Sequence, residues 1–324
     1  MLALLRDAGL IGDAPATVTA LTGGVSCDVW RVDAEGRAPL AVKRALPRLR
    51  VAAEWLVPVE RIDSEVRWLR RVGALMPALV PAVLGHWPDQ ATFAMRFLPG
   101  LPVWKDELAA GRIDAHFAGQ VGAAIARIHA ATAGDDAVAR DFANDGLFDA
   151  LRIAPFLRHV AGRDPALGRI AALADGLAAR HVALVHGDVS PKNILVGPDG
   201  PVLLDAECAT FGDPAFDLAF CTTHLLLKQV WLPAHAPALC DAAAALVGAY
   251  WAGIDWEPAD ALMERAGALT AALLLARVDG KSPVPYLDER QRARVRDRAR
   301  RLLAGEALPV DRLVIEWFLE EAGE

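Results

Sequence analysis

The sequence predicts an α+β fold: a small antiparallel sheet in the first hundred residues, then a larger, mostly helical part. Three observations carry this. Residues 17–98 hold short runs of alternating polarity punctuated by Gly-rich turns. Beyond Gly100 the chain turns Ala/Leu-rich with helical apolar spacing. One hairpin pattern, Ile194 to Leu204, interrupts those helices.

In order along the chain, Thr17–Leu21 reads as a strand and Gly23-Gly24 as its turn. Asp28–Val32 alternates polar and apolar, so it returns. Asp33–Arg37 turns again into Leu40–Lys43. Glu54–Val72 has Ile62, Val66, Leu69 and Val72 on one helical face, with Gly73 as its expected C-cap. Thr92–Leu98 reads as the last strand of this part, and Pro99-Gly100 breaks it. The expected domains are therefore 1–98 and 99–324. Helices are expected over 116–131, 165–180, 217–231, 236–252, 258–277 and 288–304. In the hairpin, two apolar runs flank Gly197-Pro198-Asp199-Gly200.

Composition narrows the function. The chain has 324 residues, 54% hydrophobic, with a net charge of −7, which supports a large core and argues against nucleic acid as partner. The four cysteines are far apart and form no CxxC pair, so neither a disulfide framework nor a zinc site is expected. No apolar segment reaches the ~18 residues of a membrane span, and the N-terminal apolar run is too short for a signal peptide, so no membrane role and a cytoplasmic location are expected. Only five of the 34 Lys and Arg residues are lysine: Lys43, Lys105, Lys192, Lys228 and Lys281.

The chemistry concentrates in His186-Gly187-Asp188-Val189-Ser190-Pro191-Lys192-Asn193 and, twelve residues after the Asn, Asp205-Ala206-Glu207. Two antiparallel strands between them would bring Asn193 and Asp205 to one open end of the hairpin. An amide oxygen and a carboxylate are hard ligands that suit Mg²⁺ bound also to phosphates. Asp188, in the same loop, is placed to orient a hydroxyl.

With Gly212-Asp213-Pro214 and Asp217-Leu218-Ala219 downstream, and echoes at Gly23-Gly24, Lys43, Glu65 and Ile128-His129, the chain resembles the aminoglycoside phosphotransferase and choline kinase superfamily. These are small-molecule kinases with a two-lobed, protein-kinase-like fold. The resemblance implies ATP and Mg²⁺ as cofactors. It implies Asp188 as catalytic base or orienting acid, and Asn193 and Asp205 as metal ligands. Glu207 either reaches the metal through water or a second ion, or is a structural glutamate. Lys192 either neutralises the transferring phosphate or is a solvated surface lysine. Lys43 is the phosphate-gripping lysine, paired with Glu65, with Glu54 and Glu60 as alternatives. The amides of Gly23, Gly24 and Ser26 would cover phosphates, or form an ordinary hairpin turn. Met95, Arg96, Phe97 and Leu98 would meet the adenine. His186 is expected to brace the loop, and Asp217 to tie its helix to that loop.

The implied activity is transfer of the terminal phosphate of a nucleoside triphosphate to a hydroxyl of a small metabolite: a sugar, an amino alcohol or an aminoglycoside-like compound. The Asp-x-Glu form at 205–207 also resembles 5-methylthioribose kinases. Arg277 and Asp279, in a turn that ends a helix, either border the acceptor pocket or are solvated charges. Two other functions compete. A nucleotide-binding regulatory module without turnover would lack one of Lys43, Asp188, Asn193 or Asp205, and none is missing. A protein kinase would need a long peptide-docking loop, and only about a dozen residues separate Asp205 from the helix at Asp217.

Overall fold

The sheet forms where the alternation is strongest. β1 (Ala16–Leu21), β2 (Cys27–Ala34) and β3 (Leu40–Ala45) make successive antiparallel pairs, and β5 (Thr92–Arg96) joins β3 before β4 (Val83–Trp87) closes the edge. The order is β1-β2-β3-β5-β4. The computed structural model describes residues 1–21, 26–48, 50, 57–163 and 167–322. Gly23 and Gly24 lie outside the described residues, as do Glu54 and the expected start of the second helix.

Two units emerge: Met1–Leu101 with Val202–Cys208, and Pro102–Pro201 with Ala209–Glu324. In the first, strand parity sorts β3. Leu40 and Val42 join Leu5, Ile11, Val32 and Ala94 in a buried apolar cluster, to which α1 (Leu2–Asp7) contributes Leu5. Ala41 and Lys43 point to the opposite face. α2 (Arg61–Leu75) covers that face with a stripe at Arg61, Glu65, Trp68 and Val72, all buried. The helix starts later than the sequence predicts, after Pro58, because a residue before proline avoids helical geometry and proline itself donates no amide. Nor does it stop at Gly73. It runs to Leu75, and a Cβ at Gly73 would meet Val80 at 3.2 Å, so the glycine serves close packing. β5 ends at Arg96, leaving Phe97 and Leu98 outside the strand.

The second unit is helical: α3 (Trp104–Ala109), α4 (Ala115–Ala130), α5 (Asp136–Asp141), α6 (Asp145–Phe148), a π-helical stretch over Asp149–Arg158, α7 (His159–Ala161) and α8 (Gly168–Ala179). β6 (Ala183–Val185) pairs with β9 (Thr210–Gly212), and β7 (Ile194–Gly197) pairs with β8 (Gly200–Leu203). The division between the units falls inside β8. α9 (Ala215–Trp231), α10 (Ala236–Trp251), α11 (Ala259–Asp279), α12 (Glu289–Ala304) and α13 (Val310–Ala322) complete the chain. α4 and α10 approach so closely at Gly122 that a Cβ there would sit 2.1 Å from the Leu246 carbonyl oxygen. Five of the six expected helices in this unit match α4, α9, α10, α11 and α12 within two residues. The sixth corresponds to α8, whose expected start at 165 lies outside the described residues. β4, β6, β9, α13 and the short helices were not expected. Each is short or lacks a clean apolar period. Among the described residues, no single helix is long and apolar enough to cross a membrane.

Candidate active site

In the first unit the site is a buried ionic cluster. Lys43, on the central strand β3, is 4% exposed, and its Nζ donates to Glu65 Oε2 at 2.6 Å and to Asp205 Oδ1. Glu65 is 1% exposed. A lysine at this depth would be costly unpaired, and the sequence supplies two carboxylates. Burial works against the ammonium, but Asp205 and Glu65 more than reverse it and hold its pKa well above the usual lysine value. Burial raises Glu65 to about 7, against the pull of Lys43 and with a further push from Asp205. One ammonium cannot fully satisfy two acids.

Glu207 completes the cluster. Its Oε2 accepts from Arg61 Nε at 3.0 Å and from the Cys27 thiol at 3.6 Å. Arg61 is fully buried and also donates to the carbonyls of Ser26, Leu46 and Pro58. Burial pushes the Cys27 thiol up to about 12, with Lys43 opposing and Glu207 adding, so it remains a donor. Three carboxylates thus meet two cations in this cluster. Asp205 adopts φ +67°, the left-handed region that asparagine and aspartate tolerate best among residues with a Cβ.

Of the residues expected to meet nucleotide, Ser26 is buried, and its hydroxyl donates to Cys27 Sγ at 3.7 Å. The amides of Arg96 and Phe97 are committed to the carbonyls of Ala82 and Pro39. The Phe97 ring lies 4.8 Å from the Arg31 guanidinium. Met95 is buried within β5, and Leu98 is half-buried after it.

In the second unit the site is the loop after β6. Gly187 takes φ +77°, which turns the chain so that consecutive amides point one way. Asp217, in the first turn of α9, accepts from His186 N at 2.7 Å and Gly187 N at 2.9 Å. His129 on α4 holds that carboxylate from behind, with Nε2 at 3.3 Å and Nδ1 at 2.8 Å from Tyr250 Oη. His186 braces the loop as expected, accepting the Asp188 amide at Nδ1, 3.1 Å away. Asp213 accepts the Ala215 amide and pairs with Arg265 at 3.0 Å.

Asp188 is 4% exposed. Its Oδ2 meets Arg152 Nη2 at 3.0 Å, Lys192 Nζ at 2.9 Å and Asn193 Nδ2 at 2.8 Å. Burial would raise this carboxyl, but Arg152 and then Lys192 outweigh it and lower it to about 2. The group is therefore a fixed anion. Asn193 spends its amide hydrogens on the Asp188 carbonyl and Oδ2, which leaves its oxygen as the atom to offer a hard cation. Each unit by itself offers an oxygen donor of the type a hard divalent ion takes, the Asn193 amide oxygen in this one and the Asp205 carboxylate in the other.

Arg152 was not expected. It lies in the irregular π-helical stretch, donates to the Gly187 carbonyl and stacks near Phe156 and Phe220 at 5.9 and 5.7 Å. No spacing signal marks it. Arg61 was missed for a different reason, since a lone arginine within an expected helix reads as surface charge. Asp279 is engaged by Arg296 at 2.9 Å, and Arg277 lies 5.3 Å from the Phe156 ring while donating to the Ser282 carbonyl.

The phosphotransferase enzyme family (APH) matches residues 17–254, nearly three quarters of the chain, including Lys43, Glu65, Asp188, Asn193, Asp205 and Glu207. The chain belongs to this family. A methylthioribose kinase of Yersinia enterocolitica is 29% identical over 262 residues, 71% of this chain and 65% of that protein. The chain spans 57–65% of the length of the first curated relatives it matches. Among solved structures, a choline/ethanolamine kinase family protein from Mesorhizobium loti superposes with TM-score 0.58 at 17% identity, covering 98% of this chain and 97% of that one. An amicoumacin kinase in complex with AMP-PNP, Ca²⁺ and Ami gives 0.57 at 14% identity, covering 95% and 94%. These likenesses show the fold of the family, a sheet-bearing N-terminal part followed by a mostly helical one.

Proposed function

We propose that this phosphotransferase moves the terminal phosphate of ATP to a hydroxyl of a small metabolite. The observation that carries the reading is Asp188, an ionised carboxylate fixed by three donors within 3.0 Å on a loop that Asp217 and His129 brace from below. Phosphoryl transfer asks little covalent chemistry of a protein and much positioning. An anion with a pKa of about 2 is a poor base in the ground state. It accepts a hydrogen bond from the acceptor hydroxyl, aims the oxygen, and takes the proton late, once bond formation has made that proton acidic.

Lys192, half-exposed beside Asp188, supplies positive charge to the transferring group, and Lys43 grips the nucleotide phosphates from its pair of acids. Asn193 and Asp205 are the oxygen donors to Mg²⁺, with Glu207 holding Arg61. Held there, Mg²⁺ would neutralise charge on the phosphates. The AMP-PNP and Ca²⁺ in the amicoumacin kinase support a nucleotide–metal pair, and the methylthioribose kinases support a sugar-type hydroxyl as acceptor.

The test is ADP release from ATP–Mg²⁺ in the presence of sugars, hydroxy acids, amino alcohols and aminoglycosides. An acceptor-stimulated rate is expected, and Asp188→Asn should lower it by about 10²–10⁴-fold while AMP-PNP binding by calorimetry persists. An unchanged rate in that variant would remove Asp188 from its role. Nucleotide binding with no acceptor-stimulated turnover would favour a regulatory module.

A further inference from the structure

The mechanism leaves part of α9 unexplained. Phe220, His224, Lys228 and Trp231 recur at i, i+4, i+8 and i+11, so they form one stripe running along the helix from the Asp217 anchor under the catalytic loop. Lys228 is 3% exposed. Its ammonium lies 4.7 Å from the Tyr286 ring centre and 5.2 Å from that of Trp231, and no carboxylate of the described residues lies within ion-pair distance. His224 is 7% exposed, and its Nε2 has no hydrogen-bond partner. The Tyr286 hydroxyl and Arg277 Nε are buried and unpartnered too.

Arg277 lies close enough to Asp188 to interact with it electrostatically, and it links Asp188 to His224. Arg277 feels the charges of Asp188 and Arg152, and His224 feels Arg277, Lys228, Lys192 and Arg152. Arg152 and Arg277 approach the same ring, Phe156, at 5.9 and 5.3 Å. Burial, then Lys105, pulls the Lys228 ammonium down to about 8, with Asp106 opposing. Arg152, Lys192, Arg277 and Lys228 therefore gather in one unit of a chain whose net charge is −7, and among the described residues Lys228 and Arg277 have no carboxylate within ion-pair distance. Buried charges and polar atoms without partners are destabilising, and native proteins keep them where a ligand supplies the missing partner.

We infer that the phosphate acceptor carries an anionic oxygen group, carboxylate or phosphate, which docks against Lys228, Arg277 and the free atoms of His224 and Tyr286 while its hydroxyl faces Asp188. The inference rests on the kinase reading above and narrows its acceptor class. Aminoglycosides and quaternary amino alcohols, which are cations, meet like charge there. The aromatic rings of Trp231 and Tyr286 flank the ammonium and hold it without quenching its charge.

The first test needs no turnover. Thermal unfolding is followed in chloride, malonate and inorganic phosphate at equal ionic strength. Malonate or phosphate should raise the wild-type Tm by about 2–4 °C over chloride. Lys228→Met should lose that rise, yet melt higher than wild type in chloride because an unpaired buried charge has gone. Lys228→Arg should keep the rise. A lysine serving only to hold the fold predicts the reverse, a Lys228→Met protein that melts lower in chloride. That result, an absent anion effect, or one that persists in Lys228→Met would overturn the inference.

Turnover then separates the sources. Hydroxy acids or sugar phosphates should exceed matched neutral and cationic acceptors at least tenfold in kcat/KM, and Lys228→Met should raise KM for the anionic acceptor more than it lowers kcat. Better turnover of neutral or cationic acceptors would sink the proposal. If no acceptor of any class releases ADP while the anion-dependent melting shift survives, the kinase reading fails and the anion site stands.

Discussion

The two charged clusters, one in each unit, carry opposite electrical balances. In the first unit, Lys43 and Arg61 face Glu65, Asp205 and Glu207, so carboxylates outnumber cations. In the second, Arg152 and Lys192 face Asp188, with Arg277 and Lys228 beyond them, so cations outnumber carboxylates. The difference teaches what each cluster lacks. The first is short of positive charge and suits a divalent cation. The second is short of negative charge and suits a transferring phosphate and an anionic acceptor. Burial pushes both acids up, but only Asp188 has cations enough to reverse it: Glu65 rises to about 7 against Lys43, with Asp205 adding, whereas Arg152 and Lys192 lower Asp188 to about 2.

The largest expected effect breaks the first cluster. Lys43→Met leaves Glu65 buried opposite Asp205 with no cation between them, and should lower stability by about 3–5 kcal/mol, read from urea unfolding at pH 8. Glu65→Gln in the same chain should restore much of the loss. Lys192→Met is the contrast. That lysine is 49% exposed, and Arg152 still pairs Asp188, so the loss should stay within about 1 kcal/mol. Equal losses in the two variants would dissolve the distinction between a buried cluster and a half-solvated one.

A smaller effect sharpens the comparison through pH. Glu65 titrates near 7 folded against 4.5 ordinarily, so the folded state holds its proton more tightly. Its contribution is full below about 4.5 and is lost as pH rises through about 7. Asp188 titrates near 2 against 3.8, so its contribution is full above about 3.8 and is lost as pH falls through about 2. For Asp188 the span is about 2 kcal/mol. Urea midpoints across pH should show Glu65→Gln flattening the neutral slope and Asp188→Asn the acid one. Slopes of the reverse sign would refute these charge balances.

How much of this was legible depended on whether a residue's role was local. The loop 186–193 and the acids at 205 and 207 are read from spacing, because the hairpin that relates them is short and its turn residues are plain. Lys43 was legible because a lysine inside an apolar strand needs a partner, and α2 offers Glu65 at a core-facing position. Arg152 was not, since its segment has no regular period and its contacts to Gly187 and Asp188 span thirty-five residues or more. Arg61 was hidden because guanidinium groups on helices are usually solvated. His224 and Lys228 did leave a trace, a scarce lysine four residues after a histidine on an alanine- and leucine-rich helix, but periodicity alone assigns both to a polar face. Asp279 pairs with Arg296, a partner seventeen residues on that the turn's own sequence does not reveal.

The smallest effect concerns the backbone at Asp205. Its φ of +67° costs most residues about 1–2 kcal/mol, whereas aspartate and asparagine lose less because their short polar side chains bond locally. Asp205→Asn and Asp205→Ala both remove the charge from Lys43, so both should weaken Mg²⁺-dependent nucleotide binding to a similar degree. They differ in what they ask of the chain. Asn keeps the left-handed turn at little strain, and Ala does not, so Asp205→Ala should unfold at lower urea, by about 1 kcal/mol more than Asp205→Asn. Asp205→Gly separates the two terms, since glycine removes charge and strain together and should recover the stability lost by Ala without recovering nucleotide affinity. If Gly is no more stable than Ala, the turn is unstrained, and aspartate stands at 205 for its charge alone.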